Sequence, residues 1–117
     1  MIDATRKLLL DVRDAGESVL QHTAEKNLAE YSANRFFRRA VEREFEIIGE
    51  ALNRIDRLDP PAASRISELR LIVDFRNRII HGYDTVDDRV VWGIVEKHLP
   101  RLIEEVGSLL DADGAAA

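Results

Sequence analysis

The chain has 117 residues, no cysteine and a formal net charge of −5. Its length suits one domain, and the lack of cysteine excludes disulfides and thiolate chemistry. The acidic balance argues against a protein that coats nucleic acid with a basic surface, so any nucleic-acid contact must be confined to a local patch. No apolar run is long enough to span a bilayer, and the N-terminus lacks the order of a signal peptide. We therefore expect a soluble, cytoplasmic protein with no membrane contact.

Apolar residues recur every three to four positions along nearly the whole chain, which predicts helices and no strands. Asp3 is a candidate cap for a first helix that ends near residues 22–27. A second helix is predicted from about Asn34 to Ile55. Its apolar residues cover roughly half of its circumference, more than one core face needs. The main stripe is Phe37, Val41, Phe45, Ile48, Leu52 and Ile55, with Phe36, Ala40, Ile47 and Ala51 beside it.

That surplus of apolar surface has two interpretations. Part of it can face a second subunit, or the helix can occupy the centre of a bundle and be covered on several sides. The sequence does not decide between them.

Helix-capping and helix-breaking residues mark the boundaries of the next segments. Asp59 followed by Pro60 predicts the start of a short helix that reaches about Glu68. A helix over Leu69–Ile80 follows, and Gly82 is expected to end it by taking a left-handed conformation.

Asp87 is a candidate cap for the last helix, and Pro100 should kink or divide that helix. We expect a single all-α domain over residues 1–110, a four- to five-helix up-down bundle, followed by a disordered tail over 111–117.

Residues whose side chains can bind phosphate or exchange protons are concentrated between Arg76 and Tyr83. Arginine binds phosphate through a planar fork of donors, and histidine exchanges protons near neutral pH. Arg76 and His81 are five residues apart, which places them about 140° apart on a continuous helix. A shared site therefore needs either a helix that unwinds at Ile80 and His81, or a second subunit that contributes its own pair.

Each of these residues also has a structural interpretation. Arg76 can be an ordinary solvated charge, and Asn77 can cap or bridge locally. His81 can bond the end of its helix, and Tyr83 can be a packing residue.

Two weaker candidates lie outside this segment. Arg35, Arg39 and Arg43 recur every four residues on the second helix. They either pair with nearby glutamates or form a basic strip that guides an RNA backbone. The aspartates that follow His81 lack the spacing of a metal site, so no metal site is expected.

At this segment the sequence resembles the HepT-like proteins of the HEPN superfamily. The resemblance rests on the order Arg76, Asn77, His81, Tyr83, which matches an arginine, a polar residue, a histidine and a tyrosine two positions later. The stretches 41–51 and 83–92 look like the same family. The resemblance covers about residues 2 to 110.

The resemblance implies a helical bundle that forms homodimers, with two motifs facing each other across a cleft. It implies a metal-independent endoribonuclease that acts as the toxin of a toxin–antitoxin pair. Arg76 and His81 would then be catalytic, with Asn77 in support. The antitoxin would be a minimal nucleotidyltransferase that transfers AMP to Tyr83. ATP and Mg²⁺ would serve that partner, and this chain would need no cofactor.

Two other functions stay open at this point. The chain can be a non-catalytic helical dimer that binds a nucleotide or a partner through the same cleft. Alternatively, the nucleotidyltransferase is the toxic component and this chain restrains it.

Overall fold

A computed structural model describes residues 1–82, 84 and 86–116 of the chain. Over these residues the fold is all-α, as the sequence predicts. Its seven helices are α1 (Asp3–Thr23), α2 (Leu28–Ala33), α3 (Arg35–Leu58), α4 (Pro60–Ala63), α5 (Leu69–His81), α6 (Asp88–Lys97) and α7 (Leu99–Ala116). Five of them are long, and α2 and α4 are short connecting helices.

The helix α3 lies at the centre of the bundle, because both α1 and α5 pack along it. Phe45, Ile48 and Leu52 on α3 are completely buried. The Phe45 ring meets the edge of Phe75 from α5, with ring centroids 5.2 Å apart. Such aromatic pairs add to the apolar burial that holds two helices together.

The surplus apolar surface of α3 is covered inside the bundle at one end of the helix and exposed at the other. Ala51 is buried inside the bundle, and Ile47 is half-buried against it. Phe36 in contrast is 90% exposed, and Ala40 beside it is also exposed. The central position of α3 therefore explains why Ile47 and Ala51 are apolar. It does not cover the apolar residues near Phe36.

Side-chain caps define several of the helix ends. Asn34 accepts a hydrogen bond from the Phe37 amide at 3.0 Å and begins α3. Asp59 accepts from the Ala62 amide at 3.2 Å, and Asp87 accepts from the Arg89 amide at 2.8 Å. The two aspartate caps were predicted from the sequence.

Other boundaries differ from the prediction. Asp3 is not a cap: Ile2 occupies the cap position without a side-chain hydrogen bond, and Asp3 lies in the first turn. A carboxylate there still interacts favourably with the positive end of the helix dipole. The short helix after Asp59 ends at Ala63, well before Glu68. Pro100 lies in the first turn of α7, so the predicted division occurs just before it.

The C-terminal helix α7 continues to Ala116, where the sequence predicts a disordered tail from residue 111. Asp113 accepts a hydrogen bond from Arg6 Nη1 at 3.0 Å, which ties the end of α7 to α1. This contact between distant residues holds α7 against α1 as far as Asp113. None of the helices in the described ranges is both long and apolar enough to cross a membrane.

Candidate functional site

The helix α5 continues without a break through His81. Gly82 ends it, and the Gly82 amide donates to the carbonyl of Arg78 at 2.9 Å. The helix therefore does not unwind at Ile80 and His81, which was one of the two arrangements left open by the sequence. Gly82 does end the helix, but its φ of −150° is extended rather than left-handed. Arg76 and His81 thus keep their separation of about 140° around one helix axis.

Arg76 is not an ordinary solvated charge. Its side chain is only 21% exposed, and its Nη2 donates to Glu50 Oε2 on α3 at 2.7 Å. Its Nη1 donates to Asn77 Oδ1 at 2.9 Å, and its buried Nε has no hydrogen-bond partner among the described residues. The guanidinium is thus held between two helices, with part of its donor capacity unused.

A groove of about 280 Å³ lies over this arginine, between α1, α3 and α5. Its rim carries both signs of charge, with Asp11, Glu46 and Glu50 facing Arg43, Arg54 and Arg76. Ile47 and Ile80 supply apolar lining. The groove can therefore hold a group that is part apolar and part anionic, provided that it reaches the arginines.

His81 lies at the exposed end of α5. Its ring makes no hydrogen bond or ion pair with the residues that the structure describes, and so does not bond the helix end. Asn77 is one turn earlier on nearly the same face as His81 and is hydrogen-bonded to Arg76. Asn77 therefore lies between the arginine, which it contacts, and the face of α5 that carries His81.

The arginine strip on α3 is largely paired with glutamates of its own helix. Arg39 donates to Glu42 at 3.1 Å, and Arg43 donates to Glu46 at 3.1 Å. Arg35 is exposed at the start of the helix. The pair of Arg43 and Glu46 is exposed, and surface pairs of this kind are weak and can open towards a phosphate. The Glu42 carboxylate bonded to Arg39 is buried. The role of Arg35, Arg39 and Arg43 in guiding RNA stays a prediction.

Comparison with known protein families shows to which family the chain belongs. The family model described as Ribonuclease HepT-like matches residues 12–109. The chain belongs to this family. The resemblance to the HepT-like family is thereby confirmed. No solved structure matches the chain significantly.

Several relatives of this HepT-like chain carry ribonuclease names. It is 30% identical over 101 residues to the protein named "Putative RNase MJ1380" of Methanocaldococcus jannaschii, covering 86% of this chain and 92% of that protein. It is 33% identical over 98 residues to the protein named "Probable ribonuclease HepT" of Thermococcus cleftensis. That match covers 80% of this chain and 84% of the relative.

Two site residues were missed in the sequence. Glu50 lies 26 positions before Arg76, so no local motif joins them. Gly49 was noted only as part of a family-like stretch. A glycine inside an amphipathic helix is a signal in itself, because such a residue weakens the helix and usually has a packing reason.

Tyr83, the predicted AMP acceptor, lies outside the described residues, and its role stays a prediction. Asp84 is exposed. In the described ranges no group of three or more histidines, aspartates and glutamates is arranged to hold a metal ion.

Proposed function

We propose that this HepT-like chain is a metal-independent endoribonuclease and the toxin of a toxin–antitoxin pair. Its active site would form at the cleft of a homodimer, where Arg76 of one copy and His81 of the other act on one phosphate. The observation that carries this proposal is the continuous helix through His81, which leaves the two side chains on different faces of one α5. A second copy supplies the missing member of the pair.

The chemistry needs only these groups, because RNA carries its own nucleophile. The 2′-oxygen attacks the neighbouring phosphorus, the bond to the 5′-oxygen breaks, and a 2′,3′-cyclic phosphate forms. His81 takes the 2′-hydroxyl proton or gives a proton to the leaving 5′-oxygen. Arg76 donates hydrogen bonds to the phosphate as negative charge builds up in the transition state. Asn77, bonded to Arg76, keeps the guanidinium in place.

Purified, unmodified protein tests this activity. We expect it to cleave RNA in the presence of a metal chelator, and His81→Ala to lower the rate at least about 100-fold, the usual contribution of a general acid or base. His22→Ala is the matched control, since His22 is exposed on α1 and, among the residues that the structure describes, bonds only the Ser18 carbonyl. Uncut RNA, combined with saturable nucleotide binding that Arg76→Ala abolishes, would favour the non-catalytic alternative.

The proposed control of the toxin is AMP transfer to Tyr83 by a minimal nucleotidyltransferase. The Tyr83 oxygen would attack the α-phosphate of ATP, lose its proton and release pyrophosphate. The added phosphate brings bulk and negative charge two residues from His81, and both oppose the entry of an RNA phosphate.

Intact-mass measurement of the co-expressed pair tests that control. We expect mass increments of AMP size that disappear in Tyr83→Phe and persist in Tyr31→Phe, because Tyr31 is completely buried. Growth assays with each gene alone separate a toxic ribonuclease from the alternative in which this chain restrains a toxic nucleotidyltransferase.

A further inference from the structure

Gly49 lies where the side chain of Arg76 crosses α3. A Cβ atom at position 49 would lie 2.3 Å from the Arg76 Cβ and 2.5 Å from its Cγ. The position of the Arg76 Cβ is fixed by the backbone of α5, so this atom cannot move aside without moving the helix. Gly16 differs, because the atom closest to a Cβ there is the terminal Cδ1 of Ile103.

Glu50, the next residue, holds the other end of the same side chain. Its Oε2 accepts from Arg76 Nη2 at 2.7 Å, and its Oε1 lies 3.9 Å from Arg54 Nε. Most other arginine–carboxylate pairs of the described residues join neighbouring turns or lie on the surface, as Arg43 and Glu46 do. Arg70 and Asp56 also join α5 to α3, but at an exposed position. The pair of Glu50 and Arg76 differs because Arg76 is only 21% exposed and lines the groove.

The hydrogen bonds of Arg76 leave donors for a ligand. Each terminal guanidinium nitrogen carries two N–H groups. One Nη2 hydrogen is used by Glu50 and one Nη1 hydrogen by Asn77. One N–H on each terminal nitrogen remains, and Arg76 lines the groove. Two N–H groups of one guanidinium are the pair that binds a phosphate in bidentate fashion.

We propose that Gly49 and Glu50 are positioning residues for Arg76, and the proposal rests on the ribonuclease function given above. Gly49 lets the arginine stem lie directly against α3, and Glu50 fixes the rotation of the guanidinium so that its two remaining N–H groups meet the phosphate. Donors held in place before the reaction stabilise transition-state charge without reorganising, whereas a displacement of about 1 Å can cost 100-fold in rate.

Two substitutions with matched controls test the positioning role. We expect Gly49→Ala and Glu50→Gln to lower kcat about 10- to 100-fold while KM changes by less than about twofold, because the lost contact acts mainly in the transition state. Gly107→Ala is the glycine control, since a Cβ there has nothing within 4 Å. Glu17→Gln is the glutamate control, since Glu17 is an exposed residue of α1 that lies 3.9 Å from Arg13 and outside the groove lining. Glu50→Asp should recover part of the lost rate.

A kcat for Glu50→Gln equal to that of Glu17→Gln would overturn the proposal. A lower KM in Glu50→Gln would also overturn it, because Glu50 would then be competing with the phosphate rather than orienting Arg76. Glu50→Gln keeps the test valid if Gly49→Ala fails to fold.

A spectroscopic measurement separates this proposal from the ribonuclease function. In ¹⁵N NMR of the dimer or monomer as purified, a guanidinium held by Glu50 and Asn77 rotates slowly about its Cζ–Nε bond and gives distinct Nη signals. We expect these signals to average in Glu50→Gln and to stay distinct in Glu17→Gln. If the wild-type protein cuts no RNA but the Arg76 signals of the two variants differ in this way, the ribonuclease function is wrong and Glu50 still positions Arg76. Identical Arg76 signals in wild type and Glu50→Gln overturn the positioning itself.

Discussion

Arg76 differs from the other arginines of the site region in what it joins. Arg39 and Arg43 bond glutamates three positions later on their own helix, whereas Arg76 bonds Glu50 on a different helix. Its planar fork lets it contact Glu50 and Asn77 together and still retain donors. The ammonium group of a lysine is a point charge on a flexible stem and cannot make these contacts in the same geometry.

Arg76→Lys should lower the rate of RNA cleavage about 100-fold, because lysine keeps the charge but loses the fork. Arg78→Lys is the control, since Arg78 is exposed on the same helix. Single-turnover cleavage measures both variants. Equal rates in the two would show that position 76 contributes only charge.

Glu42 gives a pH-dependent prediction for stability. Burial raises the pKa of this carboxyl above its ordinary value, against the opposing effect of Arg39. A carboxyl whose pKa is raised on folding binds more protons in the folded state, so its charged form lowers stability at neutral pH. Glu42→Gln should therefore raise the free energy of unfolding at pH 7.

The gain in Glu42→Gln should shrink as the pH falls through the raised pKa and vanish below about pH 4.5, the ordinary value. Urea denaturation of both proteins across this range measures the difference. A gain that is independent of pH would show that the change acts through packing and not through the charge.

The sequence identifies Arg76, Asn77 and His81 because they lie within two turns of one helix, but it does not identify Gly49 and Glu50. Their relation to Arg76 exists only after α3 and α5 have packed together. A local motif carries no information about that crossing. The same limit applies to Arg6 and Asp113, which are 107 positions apart and meet only in the folded bundle.

At the scale of elements, the site depends on how α3 and α5 begin, end and cross. The caps Asp59 and Asp87 were predicted because a capping side chain acts within three residues of itself. The continuation of α5 through His81 was one of two arrangements left open, since the sequence does not show whether a helix unwinds before a glycine. The continuous helix is the observation that points to a second subunit.

Asn34→Ala tests the cap of the central helix. Removing the hydrogen bond to the Phe37 amide should lower the free energy of unfolding by about 1 kcal/mol. Asn53→Ala, inside the same helix, should be neutral or slightly stabilising, because alanine is the better helix former. Urea denaturation compares the two. An equal effect of both substitutions would contradict the capping role of Asn34.

At the scale of the whole molecule, the exposed end of α3 is the main feature that the bundle leaves uncovered. Phe36 is 90% exposed, and the exposed Ala40 lies one turn later on the same helix. Adjacent exposed apolar side chains are a candidate contact surface for a second protein. This surface agrees with the proposed homodimer.

Phe36→Asp should shift the protein from dimer to monomer. Leu71→Asp is the control, because Leu71 is an exposed apolar residue of α5 on the side opposite Ile80. Sedimentation measured over a range of concentrations gives the dissociation constant of each. A dimer that is unaffected by Phe36→Asp would place the interface elsewhere.

Subunit mixing tests most directly whether Arg76 of one copy works with His81 of the other. Arg76→Ala and His81→Ala proteins, each inactive alone, would be mixed under conditions that exchange subunits. The mixed dimer keeps one complete pair drawn from two chains, so cleavage should recover to about a quarter of wild type when about half of the dimers are mixed. If the mixture stays inactive while mixed dimers are shown to form, both residues must act from the same chain and the shared cleft is wrong.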